Sequence, residues 1–380
     1  MNEPRFDPDK VPSPSYVVDL GYLHANALKL KEVQDRTHCK ILLALKGYAC
    51  YSTFPFLKDY LAGICASSVS EALLGDEFFG KEVHAYSPAY SDQDIEELMP
   101  LVGHISFNSF SQWERYKKKF KNSQISCGLR INPEYSELKY PLYDPSGMGS
   151  RLGITLEHFQ GKDLQGLEGL HFHSLCEQNS DTLERTLEVL EKKFGPALFQ
   201  MKWVNFGGGH HITREDYDID RLCRIITSFQ EKYQVQVYLE PGEAVGLNTG
   251  YLVGTVLDIL ENKGKVAMLD LSATCHMPDV LEMPYRPHLY GADHPGIKAH
   301  TYRLGGLSCL AGDMIGDYSF DHPLQIGDKL VFDDMAHYTM VKTTTFNGVR
   351  LPAITIFDPA SSSIQVVKEF GYLEYKSRLS

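Results

Sequence analysis

The feature that most constrains this chain is a regular alternation between residues 41 and 239. Eight short apolar runs, at 41–45, 61–65, 82–86, 104–107, 128–131, 167–172, 203–206 and 235–239, are separated by stretches of helical period. The runs are too short for helices, and their β-branched and aromatic content fits buried strands. Between them, 182–194 puts Leu183, Leu187 and Leu190 on one helical face. The segment 219–233 does the same with Leu222, Ile225, Ile226 and Phe229. Shorter helical patterns span 92–99 and 111–120, and a helix over 20–33 follows Asp19 as N-cap. Eight strands alternating with helices over about 220 residues favour a closed parallel barrel over an open sheet.

The pattern changes after Gly250. Runs at 251–259, 265–271, 300–304, 329–333 and 338–346 read as strands, with turn chemistry at Asn262-Lys263-Gly264 and Ile326-Gly327-Asp328. The expected architecture is α/β: a (β/α)8 TIM barrel over 20–250, then a mostly β domain over 251–380. The N-terminal segment 1–19 joins that domain through a strand at 15–18. A length of 380 residues agrees with two cores rather than one.

Composition narrows the partners. Charged residues make up 23% and hydrophobic residues 43%, a globular balance. A net charge of -12 lacks the basic footprint of a nucleic-acid binder and is compatible with a cationic substrate. Eight cysteines occur without a Cys-x-x-Cys pair, so neither a zinc knuckle nor a disulfide framework is indicated, and a reducing compartment is expected. Residues 1–14 are polar and lack a signal peptide's apolar core. No run approaches the ~20 apolar residues of a membrane span. A soluble, cytoplasmic protein is expected.

In a barrel of this kind, functional groups stand where strands end at the C-terminal face. The first run ends in Ala44-Leu45-Lys46. A lysine at the end of an apolar run is desolvated in part, which favours its neutral, nucleophilic amine; the plain alternative is a lysine reaching for solvent. The sixth run ends in Leu170-His171-Phe172-His173, with both imidazoles on one side of the strand. They suit a metal, as in barrel hydrolases, or a stack on a flat cofactor, or simple packing. The seventh ends in Asn205-Phe206-Gly207-Gly208-Gly209, whose exposed N–H groups suit a phosphate, although a glycine run also makes a tight turn. His210 and His211 follow without an assigned role. The eighth ends in Glu240-Pro241-Gly242, a carboxylate that needs a buried partner, either a structural cation or a protonated pyridine nitrogen. Each signal is weak alone. In order along one barrel face they supply an amine, a stacking ring, a phosphate cradle and a pyridinium partner, which together point to pyridoxal 5'-phosphate with no metal; a metal-dependent barrel hydrolase using His171 and His173 is the alternative.

At these residues the chain resembles the alanine-racemase-like fold, and within it the ornithine and diaminopimelate decarboxylase group. The matching tracts are Ala44-Leu45-Lys46, Leu129-Arg130-Ile131, His171-Phe172-His173, Gly207-Gly208-Gly209, Glu240-Pro241-Gly242, Ser308-Cys309, Asp334-Met335-Ala336-His337-Tyr338-Thr339 and Thr345-Phe346-Asn347-Gly348. The resemblance implies a decarboxylase in which Lys46 carries the cofactor, His173 stacks on it and Cys309 returns the proton to Cα. It implies that Arg130, Gly207, Gly208, Gly209, Glu240, Gly242 and Tyr338 hold the cofactor. It further implies a homodimer in which each barrel site receives Cys309 and Asp313 from the other copy.

Ser150-Arg151-Leu152-Gly153, Glu243 after Glu240-Pro241-Gly242, and Cys309-Leu310-Ala311-Gly312-Asp313 resemble the branch of that group acting on carboxy-polyamines. Relatives in the group usually carry arginine where Glu243 stands. A carboxylate there repels phosphate and suits a substrate ammonium, so a cationic carboxy-polyamine is the expected substrate. Asp313 and Asp279, with Glu282 in reserve, complete the expected substrate contacts. Diaminopimelate or another basic amino acid is the alternative substrate, and a non-catalytic regulatory homologue is the alternative of another class.

Overall fold

A computed structural model describes residues 3–380; Met1 and Asn2, the tip of the N-terminal segment, lie outside the described residues. The chain divides into two units. One is Asn26–Val245, and the other combines the residues up to Ala25 with Gly246–Ser380. Strand β1 (Ser15–Asp19) belongs to the second unit. It ends on Asp19, whose carboxylate accepts the N–H groups of Gly21 and Tyr22 and starts the helix Leu20–Thr37.

The first unit is a closed barrel of eight parallel strands: β2 (Lys40–Ala44), β3 (Gly63–Ala66), β4 (Glu82–Tyr86), β5 (His104–Phe107), β6 (Ser126–Arg130), β7 (Gly169–His171), β8 (Trp203–Asn205) and β9 (Gln236–Leu239), with β9 paired back onto β2. Side-chain size closes it. A Cβ on Gly169 would come within 2.0 Å of the Trp203 indole and one on Gly128 within 2.4 Å. The indole therefore fills room that two neighbouring strands leave open, and its Nε1 donates to Ser126 Oγ at 2.7 Å. Leu42 and Tyr238 pack with it. Outside the barrel, helix Ser180–Leu198 buries Leu183, Leu187, Leu190 and Phe194. Helix Ile219–Tyr233 buries Leu222, Ile226 and Phe229.

Several strands stop one residue short of their apolar run. Leu45, Phe172 and Phe206 are fully buried yet lie beyond the ends of β2, β7 and β8. Apolar length therefore overstates ladder length at the C-terminal mouth: after the ladder has ended, Phe172 packs on Phe206, and Phe206 on Phe229 of the outer helix Ile219–Tyr233.

The second unit is a nine-stranded sheet. It contains β1, β10 (Gly250–Glu261), β11 (Lys265–Leu269), β12 (Ala292–Asp293), β13 (His300–Gly305), β14 (Met314–Phe320), β15 (Lys329–Asp333), β16 (Ala353–Asp358) and β17 (Ser363–Lys368). Strand β1 sits between β10 and β16. One expected strand is absent: 338–346 folds as turns and a short 3-10 segment. Its β-branched threonines suggested a strand, but Lys342 N–H donates to Tyr338 O and Thr344 N–H to Cys275 O, so the backbone closes on itself and on a neighbouring loop. Strand β14 was hidden in the sequence by Gly316-Asp317, and its pairing with β13 shifts register at the neighbouring Ile315, between Leu304 and Gly305. Among the described residues no helix is long and apolar enough to cross a membrane.

Candidate active site

The barrel's C-terminal mouth gathers residues from seven strand ends, those of β2 and of β4 to β9. Lys46 stands in the turn after β2 and is exposed. The burial expected from its apolar run is a property of residues 41–45, because the chain turns before the lysine and carries its side chain into the open. The turn is fixed against the loop after β9. A Cβ on Gly47 would lie 2.9 Å from Gly242 Cα, and one on Gly242 would lie 2.8 Å from Ala44 O. Gly242 thus has a packing reason of its own: it lets the loop that carries Glu243 lie directly on the turn that carries Lys46.

Arg130, His171 and Asn205 are paired neighbours at the ends of β6, β7 and β8. Asn205 Nδ2 donates to Glu240 Oε1 at 2.6 Å, and Glu240 Oε2 lies 3.5 Å from His171 Nε2. Neither ring nitrogen of His171 makes a hydrogen bond. Burial, then Arg130 and Lys46, hold that imidazole neutral, well below its ordinary range. Arg130 is buried, lies 4.6 Å from the centre of the Tyr86 ring, and donates to His173 O. Tyr86 Oη donates to Asn108 Oδ1, which also accepts Gly153 N–H, while Asn108 Nδ2 donates to Arg151 O. The Ser150–Gly153 tract therefore reaches the mouth through its backbone.

Beyond β7, the Gly208 N–H donates to His173 Nδ1 at 2.9 Å, which leaves the Nε2–H tautomer. Burial, Lys46 and Arg130 keep this imidazole neutral as well. The glycine run is more committed than its sequence suggests. Gly207 N–H donates to Asn205 Oδ1 at 2.8 Å, so two of its three N–H groups already have protein acceptors. A Cβ on Gly207, Gly208 or Gly209 would meet Phe172 O at 2.5 Å, Glu240 O at 2.6 Å or Leu175 O at 2.0 Å respectively. The run is required first to bring three loops together. Gly209 is the half-exposed one and has φ of +82°.

One side of the mouth is acidic. His211 Nε2 lies 3.4 Å from Glu243 Oε2, and one donor atom each from Glu177, His211 and Glu243 falls within 4.8 Å of the others. The neighbouring Cys176 thiol is pushed up to about 12, by burial first and then by Glu177 and Glu243, with Lys46 acting in the opposite sense. Glu177 and His211 carried no sequence signal beyond position, because they lie on loops after different strands. Asn205, Tyr86 and Asn108 were likewise not singled out for the site. His210 is packed in the interior, and burial lowers it to about 4.

The remaining expected residues lie in the sheet unit. Cys309 is exposed, and its N–H donates to Asn347 Oδ1 at 2.7 Å. Asp313 is buried, and its carboxylate accepts from Ser272 Oγ, Thr274 N–H and Ser308 N–H. It organises the Cys309 turn with all these bonds in place. Asp279 and Glu282 share Lys342, which lies 2.6 Å from Glu282. Tyr338 is half-buried in the turns after β15.

The mouth fits pyridoxal phosphate. An exposed amine, an imidazole oriented by a backbone N–H, and a carboxylate oriented by an amide lie together beside a buried imidazole with unsatisfied nitrogens. Comparisons agree. Residues 15–336 match the family model of the pyridoxal-dependent decarboxylases, C-terminal sheet domain. The chain is 46% identical over 381 residues to carboxyaminopropylagmatine decarboxylase of Synechocystis sp., covering 100% of this chain and 98% of that protein. It is 44% identical over 381 residues to carboxynorspermidine/carboxyspermidine decarboxylase of Campylobacter jejuni, covering 97% and 99%. The crystal structure of carboxynorspermidine decarboxylase complexed with norspermidine, from Campylobacter jejuni, superposes with a TM-score of 0.91 over 97% of this chain and 100% of that one. The chain belongs to the pyridoxal-dependent decarboxylases, carboxy-lyases that work with pyridoxal 5'-phosphate.

Proposed function

We propose that this enzyme decarboxylates a carboxy-polyamine, carboxynorspermidine or carboxyspermidine, to norspermidine or spermidine in polyamine biosynthesis. The observation that carries the substrate class is the acidic flank of the mouth, where Glu243 follows Glu240-Pro241-Gly242 beside Glu177 and His211. A second carboxylate on the substrate, as in diaminopimelate, would be repelled there, whereas a protonated amine is attracted. The Campylobacter relative's activity supports this reading. The Synechocystis relative, a carboxyaminopropylagmatine decarboxylase, defines the runner-up.

Lys46 would hold the cofactor through its amine, His173 would flank its ring, Glu240 would pair with its pyridine nitrogen, and Gly209 and Tyr338 would take its phosphate. Gly207, Gly208, Gly242 and Arg130 would shape that seat. Pyridoxal phosphate, when bound, supplies the electron sink that lets Cα release CO₂. The Glu240 carboxylate would favour a proton on the ring nitrogen. His173 would orient the ring relative to the scissile bond. Cys309 Sγ, from a second copy in a homodimer, would deliver the proton to Cα, with Asp313 holding its turn. Asp279 and Glu282 meet the substrate only by exchanging Lys342 for it. A cytoplasmic location accords with this chemistry.

The test is steady-state CO₂ release from carboxynorspermidine, carboxyspermidine, carboxyaminopropylagmatine, diaminopimelate and ornithine. The reading expects the highest kcat/KM for one of the first two. A preference for diaminopimelate or ornithine, or no release from any of the five, contradicts it.

A further inference from the structure

We propose that Glu177, His211 and Glu243 form a single socket for one protonated amine nitrogen of the substrate, with the His211 imidazole as its buried wall. This deepens the functional reading above and rests on it. Glu243 alone was foreseeable; the socket is a property of three loops brought together at the mouth.

The geometry admits the ligand. The three donor atoms lie within 4.8 Å of one another, so a point within about 2.8 Å of all three exists, an ordinary charge-assisted hydrogen-bond length. A transition metal would sit at ~2.0–2.2 Å from the same atoms, and the chelation arm of the test below separates it from an amine. An ammonium carries up to three N–H donors around one centre, whereas a guanidinium is a flat fork that pairs best with one carboxylate. The three side chains also grade from buried to open: His211 is 5% exposed, Glu243 is half-buried and Glu177 is exposed. A ligand can therefore enter from the Glu177 side.

His211 supplies the independent observation. It is buried, its Nε2 points at Glu243, and neither ring nitrogen makes a hydrogen bond. A buried imidazole in that condition has lost its water without a replacement, which is costly unless a ligand completes it. Its backbone is held on both sides, with His211 N–H donating to Gln178 O and Arg214 N–H donating to His211 O. Arg214 Nη1 also donates to Glu177 O at 3.0 Å, tying the two loops. The backbone that carries the imidazole is thus fixed between the two loops.

The test uses the holoenzyme with norspermidine as probe, titrated calorimetrically into wild type, Glu177→Gln, Glu243→Gln and His211→Asn, together with kcat and KM for carboxynorspermidine. Glu177→Gln, at an exposed position, keeps the proposal falsifiable if the His211 variant fails to fold. We expect norspermidine affinity and KM to worsen roughly tenfold in each glutamine variant, with kcat within about twofold. Unchanged affinity and KM in Glu177→Gln, in an enzyme whose wild type releases CO₂ from carboxynorspermidine, removes the socket and leaves the functional reading standing. A wild type that decarboxylates no carboxy-polyamine removes the functional reading instead. Agmatine binding more tightly than norspermidine in a Glu177-dependent way, or activity abolished by a chelator and restored by Zn²⁺ or Mn²⁺, overturns the choice of ligand.

Discussion

At the N-terminal end of the barrel, Lys40 is locked to Glu82, and Glu82 also lies 3.3 Å from His84. His84 in turn stacks on His104 at 4.0 Å. At the C-terminal end, Lys46, Glu240, His171 and His173 offer the same residue types, yet the lysine is exposed and both nitrogens of His171 are unsatisfied. The first set is a structural network. Burial pushes the Glu82 carboxyl up, but His84 and Lys40 outweigh it and hold it at about 2. Glu82, His84 and His104 even approach metal-ligand spacing, but Lys40 already fills the cation's place. Residue type alone therefore does not find a site; position along the strand and unfinished pairing do.

The largest expected effect separates the two ends by activity. Glu240→Gln should lower kcat/KM about a thousandfold, near 4 kcal/mol of transition-state stabilisation, with little change in melting temperature. Glu82→Gln should leave kcat/KM within about twofold and lower the melting temperature, since a half-buried Lys40 loses its partner. The reverse assignment in paired kinetics and thermal melts would break the comparison. Next, Trp203→Ala should cost about 3–4 kcal/mol in denaturant unfolding, because the indole fills space above two glycines. A loss under about 1 kcal/mol would mean the barrel interior is not packed as described.

A smaller effect follows from buried histidines. Burial holds His210 and His276 at about 4 in the folded protein, whereas the unfolded chain takes up these protons near pH ~6.5. The unfolded state thus binds more protons below pH ~6.5, and stability falls with acid from there toward pH ~4. His210 accounts for no more than about 3 kcal/mol of that loss. Unfolding midpoints at several pH values check it, and a stability rising on acidification would have the wrong sign. The smallest effect belongs to Glu282→Gln. Lys342 keeps Asp279, so KM for the polyamine should change by less than about twofold.

Much of this contrast was legible in the sequence. Eight apolar runs specify eight strands because parallel barrel strands are buried on both faces. The groups at the mouth can be read because they follow those runs. The lower network was not legible, since Lys40, Glu82 and His104 open their strands and become partners only when β2, β4 and β5 lie side by side. Glu177 and His211 escaped for a similar reason, being on separate loops. The turns at 338–346 escaped because β-branched residues speak for a strand until tertiary hydrogen bonds override them. Asp313 was expected at the substrate, but its carboxylate is satisfied by Ser272, Thr274 and Ser308, a circumstance no spacing reveals.

The central claim is that Lys46, and not another lysine, bears the cofactor. Borohydride reduction of the holoenzyme followed by peptide mass mapping tests it directly. The account predicts a pyridoxyl group on Lys46 and its disappearance, with the visible band of the bound cofactor, in Lys46→Ala. A pyridoxyl group on Lys40 or any other lysine, or a Lys46→Ala enzyme that keeps the band and full CO₂ release, would contradict it.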